Sequence, residues 1–182
     1  MSAIEKETET TTSRKAGGFP CRRAAALAER IEEGAALLAD FAEGLSDQEW
    51  HTPLSNSDRR TIGVIVNHVA SVYPLEIEAA SAIAAGHAVT DVTWEAIVEL
   101  NARHAREQAE VTKAATIELL RRNSREAANA VRAFTDEQLD TAAPFSLSYG
   151  APVTAQFVIE DHALRHSWHH LARIRSALQG RD

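Results

Sequence analysis

An all-α four-helix bundle is the fold class this sequence predicts, on three observations. The chain is rich in Ala, Leu, Val and Ile but holds only 8 Gly and 5 Pro in 182 residues, a balance that favours helix over strand. Four long stretches repeat apolar residues at helical spacing. Two short segments between them carry a Ser/Thr-x-x-Glu/Gln pattern, which marks a helix start.

The first helix is expected from about Arg22 to Gly44, with Leu27, Ile31, Leu37, Leu38, Phe41 and Leu45 as its apolar stripe. Ser46 and Glu49 form the first capping box, and a polar loop follows through Pro53 and Ser57. The second helix begins near Thr61 and runs to about Gly86, with Pro74 expected to kink it. A linker over Gly86–Val92 leads to a third helix from Trp94, breaking near Thr112 and resuming to Phe134. Thr135 and Gln138 form the second capping box. A loop with Pro144, Gly150 and Pro152 precedes the last helix, about Thr154 to Leu178. The segments LSDQEW and FTDEQL echo each other after the first and third helices, suggesting two helical hairpins about a pseudo-two-fold axis.

These elements make one domain over residues 22–182, preceded by a polar, Thr/Glu-rich tail over 1–21 that is expected to be disordered. The tail lacks the apolar core of a secretory signal, so a cytoplasmic location is expected. The formal charge of -7 and scattered Arg argue against nucleic acid. No apolar run approaches the roughly 20 residues of a membrane span. The single cysteine, Cys21, excludes an intrachain disulfide and a cysteine-rich zinc site.

The informative residues are histidines. On a wheel of about 100° per residue, Val64, Ile65, His68, Val72 and Leu75 share one stripe of the second helix. The last helix holds His162, His166, His169 and His170. Histidines at i, i+4 lie one turn apart and can chelate one ion. Its apolar face is set by Leu164, Trp168, Leu171, Ile174 and Leu178. His170 lies about 40° from His166 toward that face, and His162 and His169 about 40° and 60° the other way. His166 and His170 are therefore the inward pair. A histidine within an apolar face is commonly a hydrogen-bonded core residue; four in nine residues are harder to place that way. In the third helix Trp94, Ile97, Val98, Asn101, Ala105 and Gln108 share a stripe, with His104 at its edge. Asn101 and Gln108 are then either paired in the core or lining a cavity.

The segments TIGVIVNHVASVYPLEI around His68, NARHAREQAEVT from Asn101, AFTDEQLD, and RHSWHHLARIRSAL near the C-terminus resemble the DinB-like superfamily, also known as the DinB/YfiT-like metalloenzymes. The resemblance covers most of residues 22–182. It implies a four-helix bundle with a long crossover between helices two and three. It also implies a divalent ion, nickel or zinc, on His68, His166 and His170. Some relatives take a low-molecular-weight thiol such as mycothiol or bacillithiol as co-substrate, in S-transfer or isomerisation. Relatives that make ergothioneine sulfoxide with iron carry a glutamate two residues after the second helical histidine. Ala172 stands there in this chain, so that chemistry is not supported.

The resulting expectation is a thiol-dependent S-transferase or isomerase. Metal-dependent hydrolysis and a non-catalytic, stress-associated metal-binding bundle are the alternatives. Asn101 and Gln108 are the expected substrate-orienting residues, and His162 the neighbouring acid/base group. The expected partner is a small-molecule substrate, with no nucleic acid and no membrane; a homodimer is compatible with the sequence.

Overall fold

The computed structural model describes residues 21–180; apart from Cys21, the tail expected over 1–21 lies outside them. In chain order the elements are α1 (Arg22–Gly44), α2 (Asp47–Trp50), α3 (Ile62–Ala84), α4 (Trp94–Glu107), α5 (Lys113–Arg132) and α6 (Asp136–Asp140). Strands β1 (Ala142–Pro144) and β2 (Pro152–Thr154) follow, then α7 (Ala155–Val158), a π-helical turn over Ile159–Leu164, and α8 (Arg165–Gln179). The four rods of the bundle are α1, α3, α5 and the continuous α7–π–α8 segment. α5 packs along both α1 and α3, and α8 lies against the same two helices. The chain between α3 and α5, which contains α4, is the long crossover.

Local chemistry explains the ends of these rods. Both capping boxes form: Ser46 exchanges hydrogen bonds with Glu49, and Thr135 with Gln138. Thr61 and Thr112 cap α3 and α5 with their hydroxyls. Pro74 lies inside α3. It has no N–H for the carbonyl four residues back, and the Asn123 side chain of α5 donates to that Ala70 oxygen instead, at 2.8 Å. A break in one helix is thus mended by a buried amide from another.

Small residues let the rods approach. A Cβ on Gly34 of α1 would stand 2.5 Å from the Trp168 indole nitrogen, so glycine there lets α8 lie close against α1. Residues 62–70 of α3 are all buried, because that half of the helix is enclosed by its neighbours and not merely faced on one side.

Three sequence expectations need correction. The loop before the last helix contains a short antiparallel pair, with Ala142 opposite Thr154 and Pro144 opposite Pro152. Tyr149 and Gly150 close it with positive φ. Val89 of the crossover bonds to this hairpin through Pro144 O and Ser146 N. Second, α4 buries no residue; Trp94 and Val98 are exposed, while Ile97, Asn101, Ala105 and Gln108 are half-buried. It lies on the bundle's surface and does not enter the core. Third, Leu37 and Leu75 are exposed, and α3 turns Tyr73 and Ile77 inward after Val72. Among the described residues no helix is long and apolar enough to cross a membrane.

Candidate metal centre

His68 reaches the site from the enclosed half of α3, where it is 6% exposed. His166 and His170 come from α8, one turn apart on a regular helix; His170 is also 6% exposed and His166 is half-buried. The two histidine-bearing helices are pinned together beside the site. Tyr73 is fully buried, and its hydroxyl shares a 2.8 Å hydrogen bond with Ser167, the neighbour of His166. Burial pushes the Tyr73 phenol upward, so it stays neutral.

One ligand-capable atom from each of His68, His166 and His170 lies within 4.8 Å of the others. The Nε2 atoms of His68 and His166 are 3.2 Å apart, and the rings of His166 and His170 stack with centroids 4.9 Å apart. Burial, reinforced by the neighbouring His166, pushes the His68 pKa down to about 3 and that of His170 to about 2. Both are neutral at physiological pH, the protonation state that binds a metal.

Behind His166 stands Glu76. Its Oε1 is 2.5 Å from His166 Nδ1, and the carboxylate is 9% exposed. A carboxylate accepts only. His166 therefore carries its proton on Nδ1 and presents a bare Nε2 to His68. Carboxylate–histidine pairs of this kind orient imidazoles at metal sites. His170 Nδ1 and Glu76 Oε2 are buried without a hydrogen-bond partner among the described residues.

These observations test whether a divalent ion fits. Three imidazoles converge, two of them neutral through burial, one has its tautomer set from behind, and one buried nitrogen lacks a partner among the described residues. The donor set suits zinc or nickel, and the cluster has the composition of a site with open coordination positions.

A model of the DinB superfamily matches residues 30–174. The chain belongs to the DinB superfamily. Among solved structures, this DinB-superfamily chain is similar to YfiT from Bacillus subtilis, described as a probable metal-dependent hydrolase with an unusual four-helix bundle topology. The identity is 18%, the TM-score 0.69, and the match covers 96% of this chain and 92% of that one. At that identity the likeness shows the shared fold. Among curated proteins no sequence matches at a significant level.

The remaining expected residues are placed apart from the triad. The π turn, in which Arg165 N–H reaches back to Glu160 O, precedes α8 and directs His162 against Phe145, with ring centroids 5.5 Å apart. His169 is exposed. Asn101 and Gln108 are half-buried on α4, and their side chains make no hydrogen bond among the described residues. His104, between them, has its ring centroid 5.7 Å from that of His68. Its Nε2 is 2.9 Å from Asn67 Oδ1, while Asn67 Nδ2 donates to Thr116. This amide therefore presents its oxygen to His104, leaving His104 Nδ1 as a bare acceptor.

Sequence reasoning missed Glu76 and the His104–Asn67–Thr116 chain. A signal for Glu76 was present: it stands three residues after Tyr73 and four before Ala80, both fully buried, so it shares their face of α3.

Proposed function

We propose that the protein is a divalent-metal-dependent enzyme that uses a low-molecular-weight thiol in S-transfer or isomerisation. The observation that carries this reading is the cluster of three imidazoles, two of them held neutral by burial, with no fourth protein ligand gathered beside them in that group. The ion would supply Lewis acidity and an open position where a thiol loses its proton near neutral pH. Glu76 holds the His166 proton on Nδ1 and keeps the ring oriented. Tyr73 and Ser167 hold α3 and α8 in register. Asn101 on α4 and Gln108 at its C-terminal end, both without a side-chain hydrogen bond among the described residues, orient the substrate. His104 Nδ1 offers a hydrogen-bond acceptor beside His68, and His162 stands as a further acid/base group near Phe145.

Metal-assisted hydrolysis is the second reading, favoured by the description of YfiT. The test is a cobalt-loaded, untagged protein titrated with cellular thiols, including mycothiol and bacillithiol. Sulfur entering the coordination sphere produces strong charge-transfer absorption. That absorption should grow as pH rises toward the free thiol pKa of about 8.5. A spectrum indifferent to the whole panel would refute the thiol reading and favour hydrolysis.

A further inference from the structure

A cluster of charges lies outside the triad yet close to it. Arg60 ends the loop before α3, with a side chain only 25% exposed. Its Nε and Nη2 grip the two oxygens of Asp58 at 2.9 and 2.7 Å. Arg173 of α8, three residues after His170, reaches the same carboxylate at 3.2 Å. Two guanidiniums thus share one carboxylate, and the cluster carries one uncompensated positive charge. Among the described residues no other partner is present for either side chain, so Arg60 Nη1 keeps its donors free.

The position of this charge matters. Arg173 stands three residues after His170 on α8, within one turn, and its bond to Asp58 ties the Arg60–Asp58 pair to that end of the histidine-bearing helix. The charge cluster is therefore held within one turn of the triad through α8, and Arg60 belongs to the loop that leads into α3, the helix of His68. In a chain of net charge -7, a mostly buried arginine with an unused donor edge at this place is a costly arrangement for a strut alone. Arginine presents planar, paired donors suited to carboxylate or phosphate oxygens.

We propose that Arg60, oriented by Asp58 and supported by Arg173, forms an anion subsite beside the histidine cluster that binds a carboxylate or phosphate group of the substrate. The substrate class is then a small molecule with a donor atom for the triad at one end and an anionic group at the other. Asp58 is the positioning residue: by holding Nε and Nη2 it aims Nη1. This rests on the metal-dependent reading above and narrows its substrate.

The test compares matched ligands on the cobalt-loaded protein, followed by absorption. One pair is 3-mercaptopropionate and 2-mercaptoethanol; the other is succinomonohydroxamate and acetohydroxamate, which need no thiol chemistry. The anionic member of a pair should bind about tenfold more tightly, the scale of one charge-assisted contact. Arg60→Gln should abolish that preference and leave the neutral ligands' affinity and the cobalt content unchanged. Arg173→Gln, which leaves the Arg60 grip on Asp58 in place, should weaken the preference in part and serves as the second variant if Arg60→Gln fails to fold. Silent thiols with an Arg60-dependent hydroxamate preference would sink the thiol reading and keep the subsite. Equal binding within both pairs, no binding by any of the four, or a preference that survives both substitutions would overturn the subsite. An equal loss for charged and neutral ligands would also overturn it, since a structural strut acts on both alike.

Discussion

Replacing Glu76 with Gln separates the two roles of a buried carboxylate. In the native protein Oε1 sits 2.5 Å from His166 Nδ1, and Oε2 is buried without a partner. Gln has nearly the same shape, and its amide oxygen still accepts from Nδ1–H, so the tautomer of His166 is kept. What is lost is the negative charge, which would strengthen His166 as a ligand and offset the charge of a bound ion. Outer-shell changes of this kind cost ~10–100-fold in metal affinity. The conservative Glu76→Gln should fall near the lower end, about 1.4 kcal/mol. Glu76→Ala should fall near the upper end, because Nδ1–H is then left unsatisfied as well. The metal-free protein should respond with the opposite sign. There the buried charge has one oxygen without a partner among the described residues and no bound ion beside it, so the neutral Gln should leave urea stability unchanged or raise it. The assay is competition for zinc against a chromophoric chelator, with urea melts of the metal-free forms alongside. Unchanged affinity in both variants would refute the role of Glu76. A loss of affinity matched by an equal loss of metal-free stability would show general damage to the fold.

His68→Ala, His166→Ala and His170→Ala should each abolish binding of about one divalent ion per chain in elemental analysis, whereas His169→Ala and His162→Ala should retain it; metal held by all three triad variants would remove the site. For pH, the folded pKa values of His68 and His170 lie at about 3 and 2, below the ordinary 6.5, so the unfolded chain binds more protons in that interval. The metal-free protein should therefore hold its full stability above about pH 6.5 and lose it progressively as pH falls toward 3, and a urea midpoint that is flat from pH 7 to 5 would contradict this. Asn123→Ala strips the donor from Ala70 O and should cost about 1–3 kcal/mol. Adding Pro74→Ala restores a backbone donor for that oxygen, so the double variant should lose less than the sum of the two single changes, and simple additivity would refute the pairing.

What the sequence made legible was whatever one helix decides alone. His166 and His170 are one turn apart within α8, a regular helix, so a wheel places them on a common inward side. The capping boxes at Ser46 and Thr135 are equally local, and both form. The stripe on α4 was less informative. Its half-buried positions do recur at helical spacing, but periodicity reports which side faces inward and not how deep the helix lies. α4 rests on the surface, so Trp94 and Val98 at the stripe's edge remain exposed.

Glu76 and Arg60 were hidden for a different reason. The Glu76–His166 contact joins residues 90 apart, and Arg173 meets Asp58 across 115; no periodicity within a helix encodes either. The π turn is the sharpest case. The 162/166 and 166/170 pairs have the same spacing, and a wheel at about 100° per residue prefers the second only because His170 lies nearer the apolar face. In the structure Ile159–Leu164 is wound with i to i+5 bonds, which widens the turn and changes the angle between His162 and His166. His166 and His170 both follow that turn, so their relation is untouched by it, while His162 is directed against Phe145. π turns recur at functional sites because they re-aim side chains without breaking the rod. Here the turn takes His162, which the wheel already disfavours, away to Phe145 and leaves His166 and His170 as the pair on α8 that meets His68.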